Sequence, residues 1–303
     1  MIGAKPSASI AAGLKIRPAV SSDQEKIGDL ISFESHVHRH LDWRTPLEWI
    51  GYPPFWVLEE RDRLIGALAC PPDPDSIAWI RLFVFGMHPD GMPVWSLLWN
   101  AAQGQLAEAG GATAAVIATQ RWFDSILIES GFDLTGHITL LEWNYQHSAR
   151  TRLPPDHSLR AMTYDDLPQV VEVDNAAFEP LWRNSLPALS KAYTQSAFAY
   201  VVEDASGMLG YQLSTGAPLR AHLARLAVRP EAQGRGIGAA LVSDLIDRLV
   251  ESGGSVLTVN TQANNEASLA LYHKLGFHRT GEQFPVYTYQ VGSVQGDKHK
   301  SSS

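Results

Sequence analysis

Hydrophobic and polar positions along this 303-residue chain follow two periods, one of strands and one of helices. The clearest strand is Ala221 to Val228, where the alternation stops at Arg229-Pro230. A helix follows, because apolar residues then recur every three or four positions before the glycines at 253 and 254: Ile237, Leu241, Leu245, Ile246 and Leu249. The glycine-containing segment between these two elements is therefore predicted to be a turn from a strand into a helix.

This turn, QGRGIGA from Gln233 to Ala239, has the properties of an anion-binding site. The first amides of a helix lack intrahelical partners and lie at the positive end of its dipole, and glycines let a ligand approach the backbone. The dinucleotide pattern is absent, because Ala239, Ala240 and Leu241 follow Gly238, and no Gly-Lys-Ser/Thr follows for a triphosphate loop. We therefore predict an anion other than the usual nucleotides.

The same order of predicted elements occurs twice along the chain. Each copy contains a strand, one or more helices, three strands, a helix, a strand, a helix and two closing strands, which indicates an α+β fold with a mixed sheet flanked by helices. We predict domains at 14–147 and 156–291, with flexible tails at 1–13 and 292–303. The three matched pairs of segments are 14–31 with 157–173, 57–70 with 200–213, and 110–137 with 253–282.

The two copies differ most at the glycine turn. The first copy has MHPDGMPVWSLLW at 87–99 in its place, and Pro89 and Pro93 carry no N–H to donate. The first copy therefore cannot offer the same row of amides, and the second copy is predicted to be the active one.

Three motifs of the second copy are similar to those of the GNAT (GCN5-related N-acetyltransferase) superfamily: LARLAV at 223–228, QGRGIGA at 233–239 and NEASLALYHKLGF at 265–277. The resemblance covers roughly residues 157–291. It implies two tandem acyl-CoA N-acyltransferase-type domains, each with a mostly antiparallel sheet, the first being degenerate. The tandem arrangement is also similar to that of mycothiol synthases.

The resemblance implies that acetyl-CoA binds to the glycine turn and to the end of the preceding strand. The amides of the turn would hold the pyrophosphate, Arg235 would add charge, and the strand would bind the pantetheine arm edge-on and polarise the acetyl carbonyl. Asn265 would bind the cofactor or, equally, serve only as a helix N-cap. The implied cofactor-binding residues are Leu226, Ala227, Val228, Gln233, Gly234, Arg235, Gly236, Ile237, Gly238, Ala239, Asn265 and Tyr272.

Tyr272 resembles the general acid that the family uses to protonate the departing thiolate. Thiols titrate near about 8.5 and phenols near about 10, so this proton transfer is nearly balanced; the alternative is a tyrosine of the core. For the base that deprotonates the amine, His222 and Glu179 are rival candidates, and water chains or a structural histidine are the alternatives.

Composition narrows the ligands and the compartment. With 24 basic and 32 acidic residues the net charge is -8, which argues against nucleic acid or an anionic membrane as a partner and favours a cationic amine. The single cysteine, Cys70, and the absence of a long apolar run favour a cytoplasmic protein. The HVHRH run at 36–40 is predicted to be a polar loop or helix edge rather than a metal site, and the tryptophans of the first copy are predicted to be core residues.

These observations predict an N-acetyltransferase that moves an acetyl group from acetyl-CoA to a primary amine by direct attack. The acceptor is a small molecule or a protein N-terminus. Two alternatives stay open, namely a non-catalytic acyl-CoA-binding regulatory module and an enzyme similar to mycothiol synthase. The acyl-chain preference and the oligomeric state are open as well.

Overall fold

The computed structural model describes residues 13–87, 90–144, 151–217 and 219–293, so Pro89 of the first-copy loop lies outside the described residues. Contacts divide the chain into two compact units. The described residues up to Leu134 and those from Tyr287 onwards form the first unit, and Thr135–Val286 form the second. The α+β fold class is confirmed, with sheets and helices in both units.

The first unit has a five-stranded sheet in the order β1-β3-β4-β6-β2, in which the neighbouring strands are antiparallel. In addition, β5 and β7 pair with each other in parallel. Its strands and helices are β1 (Leu14–Pro18), α1 (Gln24–Phe33), β2 (His36–Arg39), β3 (Phe55–Glu60), β4 (Arg63–Ala69), β5 (Ile77–Trp79), β6 (Leu82–Phe85), α2 (Met92–Glu108), β7 (Ala112–Ile117) and α3 (Arg121–Glu129). The prediction that the tryptophans are core residues holds for four of the seven in this unit, because Trp49, Trp79, Trp95 and Trp99 are at most 6% exposed. The other three, Trp43, Trp56 and Trp122, are only partly buried.

The HVHRH run is not the polar loop or helix edge that the sequence predicts. Its first four residues form β2, and the His38 imidazole is fully buried, with Nε2 at 3.1 Å from the carbonyl oxygen of Ile80. Burial lowers the pKa of His38 to about 4, so the ring is neutral at pH 7. The prediction was wrong because aromatic neighbours from distant parts of the chain cover this strand, as in the stacking of His36 on Phe85.

The second unit is one sheet in the order β14-β8-β13-β12-β11-β10-β9, with β12 and β13 parallel. The pairs β9–β10, β10–β11, β11–β12 and β13–β8 are antiparallel, so the sheet is mostly antiparallel as predicted. Its elements are β8 (Asp133–Asn144), β9 (Ser158–Ala161), α4 (Leu167–Ala177), α5 (Leu186–Gln195), β10 (Phe198–Asp204), β11 (Gly207–Ala217), β12 (Arg220–Val228), α6 (Ile237–Glu251), β13 (Val256–Gln262), α7 (Glu266–Lys274) and β14 (His278–Val291).

The ends of the two repeats differ from the prediction. Each copy closes with one long strand, β8 or β14, instead of two. The predicted domain boundaries, 14–147 and 156–291, also differ from the compact units, because most of β8 lies in the second unit and Tyr287–Val291 of β14 lies in the first. Hydrogen bonding between strands distant in sequence decides these boundaries, and hydrophobic periodicity carries no information about it.

The repeat extends to one set of side chains near the start of each unit. In both units an arginine of the first strand donates to an aspartate six residues later, at 2.6 and 2.7 Å in the first and 2.7 and 2.8 Å in the second. The same arginine also donates to a glutamate of the hairpin strand, at 2.5 and 2.9 Å respectively. The sets are Arg17, Asp23 and Glu59, and Arg160, Asp166 and Glu203. This match supports a common origin of the two units.

Among the described residues, every helix is too short or too polar to cross a membrane.

Candidate active site

A cavity of about 870 Å³ lies in the second unit, and all of its lining residues fall within Thr135–Val286. The start of α6, the end of β12 and one face of α7 form one part of its wall. The segment after α4, together with residues of β8 and β14, forms the rest. The volume is in the range of small-molecule sites.

The cavity lies where two parallel strands diverge. The parallel register of β12 with β13 ends at Leu223 and Val259, although β12 continues to pair with β11 as far as Val228. On its other side β13 continues to pair with β8 as far as Gln262. Beyond Leu223 the β12 edge therefore faces the cavity rather than a neighbouring strand. An open strand edge of this kind can hydrogen-bond an extended ligand.

The register of β12 shifts just before this opening. Leu213 of β11 faces Arg225, whereas the next residue, Ser214, faces Leu223, so Ala224 is an extra residue in β12. Such a bulge bends a strand and increases its twist. It thereby turns Leu226, Ala227 and Val228 away from β13, and all three line the cavity.

The glycine turn connects β12 to α6 as the sequence predicts, after a single 3₁₀ turn at Pro230–Ala232. Gly234 and Gly236 have φ angles of 74° and 84°, which other residues rarely adopt. No heavy atom comes within 4 Å of a Cβ built at Gly234, and only Thr151 Cγ2 does so at Gly236, at 3.7 Å. These glycines are therefore required by conformation, and they leave the first amides of α6 open towards the cavity.

The other residues of the turn have different environments. Gly234, Gly236, Ile237, Gly238 and Ala239 line the cavity. Gln233 also lines it, and its Nε2 donates to the carbonyl oxygen of Val228 at 3.1 Å. Arg235 is not among the described lining residues, because its guanidinium lies on the surface, 3.2 Å from Nε2 of His157.

Asn265 lines the cavity and also caps α7. Its Oδ1 accepts a hydrogen bond from the backbone N–H of Ser268 at 3.0 Å, and its Nδ2 donates to Gln262 Oε1 at 3.4 Å. The N-cap role is thus present in the structure. The cofactor-binding role of Asn265 stays a prediction.

Tyr272 is 4% exposed and packs on the core side of α7, next to Leu269 and with its ring centroid 5.4 Å from that of Phe277. It is not a described lining residue, whereas its neighbour Leu271 is. Burial raises the pKa of the Tyr272 phenol above its ordinary value, so the phenol holds its proton at neutral pH. The same shift makes the phenol a weaker acid than an ordinary tyrosine, whose pKa is near about 10.

The two base candidates are placed differently. His222 lies in β12 with Nδ1 at 2.9 Å from Oγ1 of Thr258, and burial lowers the pKa of its imidazole. It is not among the described residues that line the cavity. Glu179 does line the cavity, at the start of the turn Pro180–Trp182.

Sequence analysis missed two ionisable residues of the cavity, His137 and Lys274. Lys274 lies within the third motif and could have been found from the helical spacing of α7. His137 could not, because β8 belongs to the first copy in sequence and joins the second unit only through strand pairing.

Comparison with known proteins agrees with this geometry. Residues 167–277, which include the glycine turn and α7, match the model of the Acetyltransferase (GNAT) family. The second unit belongs to the GNAT family. GNAT proteins are acyltransferases, and the chain is accordingly an acyltransferase.

Two GNAT relatives and one solved structure show how far the likeness extends. The ribosomal protein bS18-alanine N-acetyltransferase of Escherichia coli is 26% identical over 122 residues, which are 40% of this chain and 81% of the relative. The mycothiol acetyltransferase of Paenarthrobacter aurescens is 46% identical over 54 residues, which are 18% of this chain and 17% of the relative. A tandem GNAT protein from the clavulanic acid biosynthesis pathway has a TM-score of 0.62 and 18% identity, covering 93% of this chain and 100% of its own. The tandem GNAT fold is therefore confirmed.

Proposed function

We propose that this chain transfers an acetyl group from acetyl-CoA to a primary amine in the cavity of its second unit. One observation carries the proposal: the left-handed glycine turn at the start of α6 and the open edge of β12 meet in the same cavity. The first feature suits a pyrophosphate and the second suits an extended amide-containing arm. Acetyl-CoA contains both groups, and its thioester supplies the activated acetyl group.

The residues that line the cavity and Tyr272 of α7 have separate roles in this proposal. The amides of 234–239 hold the pyrophosphate, and the backbone of 226–228 holds the arm and polarises the carbonyl. When the amine nitrogen bonds to the carbonyl carbon, the carbon–sulfur bond breaks, and the Tyr272 phenol gives its proton to the sulfur. The amine loses its proton to Glu179, which lines the cavity, in preference to His222, which does not.

The wall formed by the segment after α4 is the place for the acceptor. Phe178, Glu179, Leu181 and Trp182 line the cavity there, which gives a mostly apolar surface with one carboxylate. A carboxylate beside apolar groups favours an ammonium carried on an apolar body. Both a peptide N-terminus and a small-molecule amine meet this description.

An assay of thiol release from acetyl-CoA over a panel of amines tests the proposal. The panel contains peptides with different N-terminal residues, polyamines, amino acids and amino sugars. We expect turnover that depends on the amine. Acetyl-CoA binding without turnover on any amine would instead support the non-catalytic alternative.

Among the described residues of the first unit, neither feature of the acetyl-CoA site is present at the corresponding place. Its strand β6 corresponds to the end of β12, because each pairs antiparallel with the strand of the preceding hairpin. The other edge of β6, however, is already paired with β2 from the same chain. At the start of α2 the ring of Phe85 packs against Gly91, where a Cβ would displace the ring.

We therefore predict one acetyl-CoA site per chain. A ligand could pair with this edge of β6 only if β2 separated from it. That separation would break the pairing of His36–Arg39 with Leu82–Phe85 and would expose the fully buried His38. Isothermal titration calorimetry with acetyl-CoA checks this, with an expected stoichiometry of one. Two equivalent sites per chain would show that β2 does not block the first unit.

A further inference from the structure

In the second unit, a buried carboxylate contacts the acceptor wall, by which we mean residues 178–184 after α4. Asp174 of α4 has no exposed surface. Its Oδ2 accepts hydrogen bonds from the Tyr211 hydroxyl at 2.6 Å and from Nε of Arg225 at 2.7 Å, and its Oδ1 accepts from the backbone N–H of Asn184 at 2.9 Å. The carboxylate therefore connects α4, β11 and β12 to the far end of the wall.

Arg225 connects the same wall to the cofactor strand. It lies in β12 directly before Leu226, and its side chain is 14% exposed. Beyond its bond to Asp174, it donates from a terminal nitrogen to the carbonyl oxygen of Trp182 at 2.6 Å. Its guanidinium carbon also lies 3.6 Å from the centroid of the Phe178 ring. One side chain thus contacts both ends of the segment 178–182.

A buried ion pair of this kind is a weak source of stability. Well-packed apolar residues of similar volume often stabilise a fold as much or more, because the charges lose their hydration. The planar guanidinium of an arginine can, however, bind a carboxylate and a carbonyl oxygen at the same time while it stacks on an aromatic ring. The ion pair is therefore better explained by its effect on the position of the acceptor wall than by a contribution to the stability of the fold.

We infer that Asp174 and Arg225 are positioning residues that hold the acceptor wall, residues 178–184, at a defined distance from the open edge of β12. Arg225 is adjacent in sequence to the end of β12 that would hold the thioester, and its side chain binds the acceptor wall. The same residue therefore fixes the position of the wall relative to the thioester. This inference rests on the proposed function for its catalytic consequence. Its structural content, that the pair orders the wall, does not depend on the identity of the acceptor.

The test compares Arg225→Lys with a matched control, Arg160→Lys. Lysine keeps the positive charge at 225 but cannot bind Asp174, the Trp182 carbonyl and the Phe178 ring together. Arg160 also binds two carboxylates, Asp166 and Glu203, but none of the three residues lines the cavity. The control variant therefore loses an arginine that makes several hydrogen bonds in the same unit but does not contact the cavity wall.

Two measurements are made on the full-length protein. In Arg225→Lys, amide hydrogen exchange of residues 178–184 should become at least about 10-fold faster, while exchange of 226–239 stays near wild type. On the best amine of the panel, KM for the amine should rise about 10-fold or more and KM for acetyl-CoA should change less than about 2-fold. Asp174→Asn should act in the same direction, since it removes the charge that Arg225 binds.

The exchange result decides the inference even if no amine is turned over. Unchanged exchange at 178–184, or acceleration spread over the whole unit as in a general loss of stability, would overturn it. Local acceleration in Arg225→Lys without any wild-type turnover would keep the positioning role and contradict the proposed function instead. Equal rises of KM for both substrates would contradict the specific link to the acceptor.

Discussion

Replacing Tyr272 with phenylalanine is expected to lower kcat about 10²- to 10⁴-fold, the usual contribution of a positioned general acid. The Kd for acetyl-CoA should remain near the wild-type value, because Tyr272 does not line the cavity as the described residues define it. The physical reason is that the departing thiolate needs a proton, and the buried phenol, whose pKa is raised, still carries one at neutral pH. Steady-state turnover combined with calorimetry measures both quantities.

Tyr193→Phe is the matched control for this variant. It removes the same hydroxyl from another tyrosine of the second unit, one whose OH lies 3.4 Å from the carbonyl oxygen of Met162 and which does not line the cavity. Turnover by this control should equal that of wild type. If Tyr272→Phe also turned over at the wild-type rate, Tyr272 would be a core residue only, a role with which its 4% exposure is compatible.

A chain beginning at residue 156, the predicted start of the catalytic domain, is expected not to fold, whereas one spanning 133–291 should fold cooperatively. The shorter chain lacks β8, which pairs with β13 from Asn144 with Val256 to Ile138 with Gln262. It also lacks Leu141, which is fully buried in the core of the second unit. Burying one large apolar side chain contributes about 1.5–3 kcal/mol, and a domain has only about 5–15 kcal/mol in total.

Circular dichroism and urea denaturation of the two truncated chains check this prediction. The longer chain should give one sigmoidal transition, and the shorter one should give none or should aggregate, because loss of β8 leaves the edge of β13 unpaired. Cooperative unfolding of the 156–291 chain would show that β8 is dispensable. In that case the sequence-based boundary would be the better description of the domain.

The sequence was sufficient where local rules determine the structure. The strand, the glycine turn and the start of α6 were predicted from the periodicity of apolar residues and from glycines that now prove to have positive φ at 234 and 236. The sequence also offers the capping of α7 by Asn265 as one of two roles for this residue. A cap of this kind is predictable because it bonds only to residues a few positions away. The repeat was also visible, because each copy repeats the local pattern.

Where contacts join distant residues, the sequence was insufficient. The HVHRH run was expected in a loop or helix edge, yet its pairing with β6 and its cover of aromatic rings make it a strand. The sequence offers His222 and Glu179 as rival bases, but of these two only Glu179 lines the cavity. Neither Asp174 nor Arg225 carries a local signal, since the hydrogen bond between them spans 51 positions of the chain.

The sequence by itself therefore determined the repeat, the family resemblance and the glycine turn from strand to helix, because short-range periodicity and backbone preference encode all three. Only the tertiary structure decided that β8 belongs to the second unit, that β2 occupies the open edge of the first, and that a buried ion pair backs the acceptor wall. Strand partners and buried charges are selected by the packing of the whole unit. No window of neighbouring residues contains that information.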